Sequence, residues 1–153
     1  MAKSKKWEIE KLRKSHSVTT AAKLIVGARL THLFTTIEKY FNEMNAENLH
    51  DIRISLRRVR YNMELFISCF NRKQFMNIYN TIQNLQDLSG LVRDLDVFKE
   101  NIILLVKDEK VKVNNDILNK AEEKRIELEE RLKLSLMKFM HSKAVKNFYR
   151  IVQ

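Results

Sequence analysis

Residues 50 to 60 read His-Asp-Ile-Arg-Ile-Ser-Leu-Arg-Arg-Val-Arg. At about 100° per residue, a helix brings His50, Arg53, Arg57 and Arg60 within roughly a quarter-turn of one another. Arg58 lies about 100° from Arg57, toward a different helix or solvent. A second stripe carries Leu49, Ile52, Leu56, Val59, Met63, Phe66 and Phe70, so the predicted helix has a core face with a cationic edge beside it. Guanidinium forks are permanently charged and match phosphate oxygens in geometry. Stacking them along one edge is unfavourable unless an anion compensates the charge. The simplest partner is a phosphate-rich polyanion.

The second segment with chemical content is Leu88-Ser-Gly-Leu-Val-Arg-Asp-Leu-Asp-Val97. Arg93 and Asp96, three apart, share one helical side, while Asp94 points elsewhere and could engage a neighbouring helix. A carboxylate beside an arginine can hold the guanidinium in one rotamer, so Asp94 and Asp96 are candidate arginine-orienting residues, against the plainer reading of surface ion pairs. Gly90 inside a helical pattern costs about 1 kcal/mol relative to Ala, and a close helix–helix approach would explain it. Two roles are open to His50: donating to a phosphate oxygen, or capping and packing against a neighbouring helix. Lys23, Arg29, Lys138, Lys143, Lys146 and Arg150 could extend the basic surface, although each alone reads as a solvated charge.

Other chemistries find little support. Glu47-x-x-His50 is half of a di-iron bundle pattern, but no second copy exists, so no metal site is expected. His16, His32 and His141 have no Ser or Cys partner at a recognisable motif spacing. A Gly-rich phosphate loop and clustered carboxylates for magnesium are also missing, so we expect no enzyme and no cofactor.

These side chains need rigid elements to hold them. The chain has no proline and two glycines, Gly27 and Gly90, and strand patterns with their turn residues do not occur. After a polar lead-in over 1–17, apolar periodicity predicts helices at about 18–44, 47–71 and 73–107, with a fourth beginning near Asn115 or Asp116 and continuing toward the C-terminus. Leu85, Leu88, Leu91, Leu95 and Ile102 mark the third. Short connections then predict an all-α, antiparallel four-helix bundle with long helices, in one domain over 1–153.

Composition agrees with a basic globular protein. The 153 residues are 44% hydrophobic, enough for a core, and 29 Lys and Arg stand against 19 Asp and Glu for a formal charge of +10. Such a surplus favours nucleic acid, an anionic surface, polyphosphate or an acidic protein. Lone Cys69, among Phe66, Ile67 and Phe70, reads as buried packing on a helix. No apolar run follows the basic N-terminus or is long enough to span a bilayer, so a cytoplasmic location is the default.

Together, His-x-x-Arg-x-x-x-Arg-Arg-x-Arg at 50–60 and Gly-x-x-Arg-Asp-x-Asp at 90–96 resemble the CHAD family, the conserved histidine α-helical domain. Ser142-Lys143-x-x-Lys146-x-Phe148 is similar to that family's closing helix. The resemblance implies helical bundles with a basic groove or pore that binds inorganic polyphosphate without catalysis, and association with polyphosphate granules. It places His50, Arg53, Arg57, Arg58, Arg60 and Arg93 at the family's basic positions. Relatives usually carry two such repeats in one chain, whereas each motif occurs once here, so a homodimer is expected to rebuild the pair. Many relatives also carry a triphosphate-processing module marked by Glu-x-Glu-x-Lys; Glu8-Ile9-Glu10 is followed by Leu12 at the lysine position, so that module is expected to be absent. Nucleic-acid binding is the second reading, disfavoured because aromatic side chains for base stacking do not interleave with the arginines.

Overall fold

A computed structural model describes residues 9, 11–12, 17–109 and 111–153. The polar lead-in expected over 1–17 lies mostly outside the described residues. The described residues form five helices and no strand: α1 (Val18–Asn42), α2 (Ala46–Leu65), α3 (Arg72–Asp108), α4 (Asn115–His141) and α5 (Lys143–Ile151). Each start has a chemical cause. Ser17, Asn45, Asn71, Asn114 and Ser142 stand in extended conformations, and their side chains accept hydrogen bonds from backbone N–H groups in the first turn.

The first four helices run antiparallel in succession. Lys39 near the end of α1 pairs with Asp51 near the start of α2, at 3.7 Å. Tyr79 near the start of α3 reaches Glu64 at the end of α2, at 2.7 Å. Lys99 in the second half of α3 pairs with Glu122 early in α4, at 3.0 Å. The core between them is aliphatic: Ile52, Leu56, Val59 and Met63 from α2 meet Val26, Leu30, Leu33 and Ile37 from α1, Ile82 and Val92 from α3, and Leu132 and Leu136 from α4. Burying each of these side chains contributes about 1.5–3 kcal/mol, which fixes the face that α2 turns inward and so the face left for its arginines.

Five helices stand where four were expected. The fourth breaks at Ser142, whose extended backbone (φ −65°, ψ 127°) ends α4 and whose hydroxyl caps α5. The break lets Phe148 turn back onto Phe70 and Phe75, with ring centroids 5.7 and 6.4 Å away. The same cluster explains why α2 stops at Leu65 rather than about 71. Phe66 leaves helical geometry (φ −110°, ψ 19°), a 3-10 turn spans Ile67–Cys69, and Phe70 stacks on Phe75 at 5.4 Å. Cys69 is accordingly half-buried in that turn and is not helical core.

The two glycines exchange roles relative to expectation. A Cβ added at Gly90 would meet nothing within 4 Å, so no neighbouring helix approaches there. At Gly27 a Cβ would overlap the backbone carbonyl of Val152, so it is this glycine that permits close packing, between α1 and the residue after α5. Leu91, expected on the core stripe, is half-exposed and lines surface clefts.

Candidate functional site

The groove between α2 and α3 is built by two periodicities. On α2 the apolar stripe pins Ile52, Leu56 and Val59 inward, which leaves His50, Arg53 and Arg57 along the rim. On α3, buried Leu85, Ser89 and Val92 turn Gln86, Gly90 and Arg93 toward that rim. Two adjoining clefts result and share Arg53. One, of about 360 Å³, is lined by Glu47, His50, Arg53, Ser89, Arg93 and Asp96. The other, of about 380 Å³, is lined by Arg53, Arg57, Gln86, Asp87, Gly90 and Asp94.

Arg53 and Arg57 make no ion pair or hydrogen bond with any described side chain, although Asp87 and Asp94 line the same cleft. Two guanidinium groups one turn apart, neither within ion-pair distance of a carboxylate, keep their hydrogen-bond donors available on a rigid rod, with Asp87 and Asp94 balancing their formal charge in the same cleft. Beneath them the Gln86 side-chain oxygen is buried without a partner. An orphaned buried acceptor costs about 1–3 kcal/mol.

The remaining sequence candidates separate. Arg60 bonds Glu64 through Nε at 2.9 Å, and Tyr79 donates to the same carboxylate oxygen, so Arg60 is neutralised one turn beyond the cleft. Tyr79, then Arg60, holds the Glu64 carboxyl below its usual range, and that carboxylate in turn raises Arg60. Arg58 is exposed and lines neither cleft. Asn45 caps the start of α2 and the Asn48 side chain donates to the Glu43 carbonyl at the end of α1, so His50 is not a cap and stands exposed at the cleft mouth.

Arg93 does line the cleft, but its carboxylate partner is Glu100 at 3.4 Å and not Asp96. Asp96 pairs across the helix boundary with Arg125 of α4, whose Nη1 also donates to Glu129 at 2.8 Å. Tyr40 of α1 completes the chain by donating to Glu129 at 2.8 Å, and burial together with that carboxylate pushes the Tyr40 phenol well above its ordinary range. Asp94 has no ion pair and lies in the cleft beside Arg53 and Arg57. Of the two expected arginine-orienting residues, Asp96 thus orients an arginine that sequence reasoning missed.

A third cleft, of about 600 Å³, lies between α3 and α4, with Asp87 and Leu91 shared with the α2–α3 groove and Arg131, Ser135 and Lys138 on the far wall. Arg131 was not anticipated, although its spacing of seven from Lys138 sets both on one face of α4. Lys23 and Arg29 are half-buried on α1, Lys143 and Lys146 are exposed on α5, and none of the four lines the α2–α3 clefts.

With that geometry in hand, the family model for the CHAD domain matches residues 2–102, two thirds of the sequence. The chain belongs to the CHAD family. No curated protein and no solved structure matches it. The matched stretch of this CHAD domain contains both the arginine run and Arg93, so the two clefts of the α2–α3 groove fall wholly within it. Arg125, Glu129 and the Arg131–Lys138 wall fall in the remaining third, whereas their partners Asp96 and Tyr40 lie in the matched stretch. Among the described residues no helix is long and apolar enough to cross a membrane.

Proposed function

We propose that this CHAD domain binds linear inorganic polyphosphate along the α2–α3 groove and performs no chemistry on it. The observation that carries the proposal is the state of Arg53 and Arg57: one turn apart, fixed by a buried stripe, facing a cleft, and without a carboxylate in contact. His50 extends the donor set at one end, joined by Arg93, whose 3.4 Å contact with exposed Glu100 is looser than the 2.9 Å Arg60–Glu64 pair. Charge-assisted hydrogen bonds contribute about 1.5–3 kcal/mol each, so three or four of them along one flexible ligand give substantial affinity from a shallow site. Arg60, compensated by Glu64, lies outside this donor set, and Arg58 acts only through long-range charge.

Calorimetric titration with long polyphosphate, tripolyphosphate and a single-stranded oligonucleotide at matched phosphate concentration tests the reading. Polyphosphate is expected to bind most tightly, since a dense phosphate chain can set successive anions against arginines about 5–6 Å apart. Tighter binding of the oligonucleotide at physiological salt would replace this function with nucleic-acid binding. Salt sensitivity does not discriminate, because both ligands are polyanions.

A further inference from the structure

The far end of the α3–α4 hairpin carries an apolar surface that is left exposed among the described residues. α3 has 37 residues and α2 has 20, so by the helical rise α3 is about 56 Å long against about 30 Å. The start of α2 faces α3 near Ser89, Arg93 and Asp96. Beyond that level α3 continues for three more turns with α4 beside it. On this overhang Ile102-Ile103-Leu104-Leu105-Val106 is apolar in five consecutive positions, which covers every side of a helix. One neighbour can cover only one side. Ile103 and Leu104 are 51% and 54% exposed, and Phe98, Leu105 and Val106 are exposed as well. A helix that is apolar all round belongs in a core, and a contiguous exposed patch of this kind marks an interface.

Charge selects the occupant. Residues 97–124 hold six lysines and six carboxylates, so the whole formal surplus of +10 lies outside the hairpin tip. A polyanion, an acidic protein or an anionic membrane surface would be drawn to the basic remainder of the chain and gain nothing from this neutral end. A second copy of the chain meets net like-charge repulsion from the basic remainder but none from this end, and it brings an identical apolar patch to a twofold contact in which lysines of one tip can face carboxylates of the other.

We propose that two copies associate tip to tip through residues 98–106 of α3 and the adjoining start of α4, leaving the α2–α3 groove of each copy open. The association does not depend on the groove's ligand. Sedimentation velocity over a range of concentrations tests it, comparing the native chain with Ile103→Glu/Leu104→Glu and with Arg53→Ala/Arg57→Ala. The native chain is expected to be a dimer that the Glu pair weakens by at least about a hundredfold, given the apolar area lost, with an unchanged helical signal because both side chains are exposed. The arginine variant should dimerise like the native chain while losing polyphosphate, so failure of the interface and failure of the ligand assignment are separable. A native chain that stays monomeric at every concentration, a dimer that withstands the Glu pair, or a monomer that instead binds neutral phosphatidylcholine vesicles through this tip would each overturn the proposal.

Discussion

Arg53 on α2 and Arg125 on α4 are the same residue type in two opposite settings, with α3 packed against both helices. Arg53 looks into an open groove with no carboxylate in contact, above a glycine with empty space around it and an amide oxygen lacking a partner. Arg125 is held between Asp96 and Glu129, with Tyr40 closing the far side of Glu129. The contrast shows that arginine content alone does not locate a ligand site. An arginine whose charge is already matched holds helices together, whereas one whose charge is left unmatched on a rigid element keeps its hydrogen bonds for something that arrives from solution.

The largest effect should come from the open side. Arg53→Ala/Arg57→Ala is expected to weaken polyphosphate binding by at least about a hundredfold, from two charge-assisted contacts of about 1.5–3 kcal/mol each. Its melting temperature should stay level or rise, because like-charge repulsion along α2 is relieved. Binding that survives in a folded double variant would remove the groove as the site.

The closed side should behave inversely. Arg125→Ala strands Asp96 and Glu129, each about one-fifth exposed, and should cost about 1–3 kcal/mol in denaturant unfolding while leaving polyphosphate affinity within a few-fold of native. Loss of affinity without loss of stability would reverse the assignment of the two arginines.

The glycines sharpen the same comparison at smaller scale. Gly90→Ala meets no neighbour and should stabilise α3 by up to about 1 kcal/mol. Gly27→Ala drives a methyl into the Val152 carbonyl and should lower stability despite the same gain in helix propensity. Two thermal melts with shifts of opposite sign are the expected result.

The smallest effect concerns Glu64. Its depressed folded value means that its contribution to stability is present above the unfolded value of about 4.3 and is lost as pH falls through the lower folded one. Tyr79→Phe removes the largest cause, so the Glu64 titration followed by NMR should move up toward the ordinary carboxylate value.

The helices and the arginine run were legible because both are local. Caps at Asn45, Asn71 and Asn114 and the apolar period of α2 are written within a few residues of where they act. The motif sets Arg60 among the phosphate-binding arginines, although its i,i+4 spacing to Glu64 carries the signal for the pair that occupies it. Capture of Asp96 by Arg125 was not legible, since 29 positions separate them and only the packing of α3 on α4 joins them. The break at Ser142 belongs with it: a serine inside a helical pattern stops the helix here because Phe148 has aromatic partners to reach, and those partners lie on α3 and the turn before it.

Gly27 and Val152 meet across about 125 positions of chain, and that separation bears on how the protein is made. A helical chain assembles mostly through near neighbours, which favours fast folding. The strip of α1 around Val26, Gly27 and Leu30, however, waits for α5 before its last cover arrives. During synthesis from the N-terminal end, that strip leaves the ribosome early and stays open to misassociation until residue 152 has followed it out.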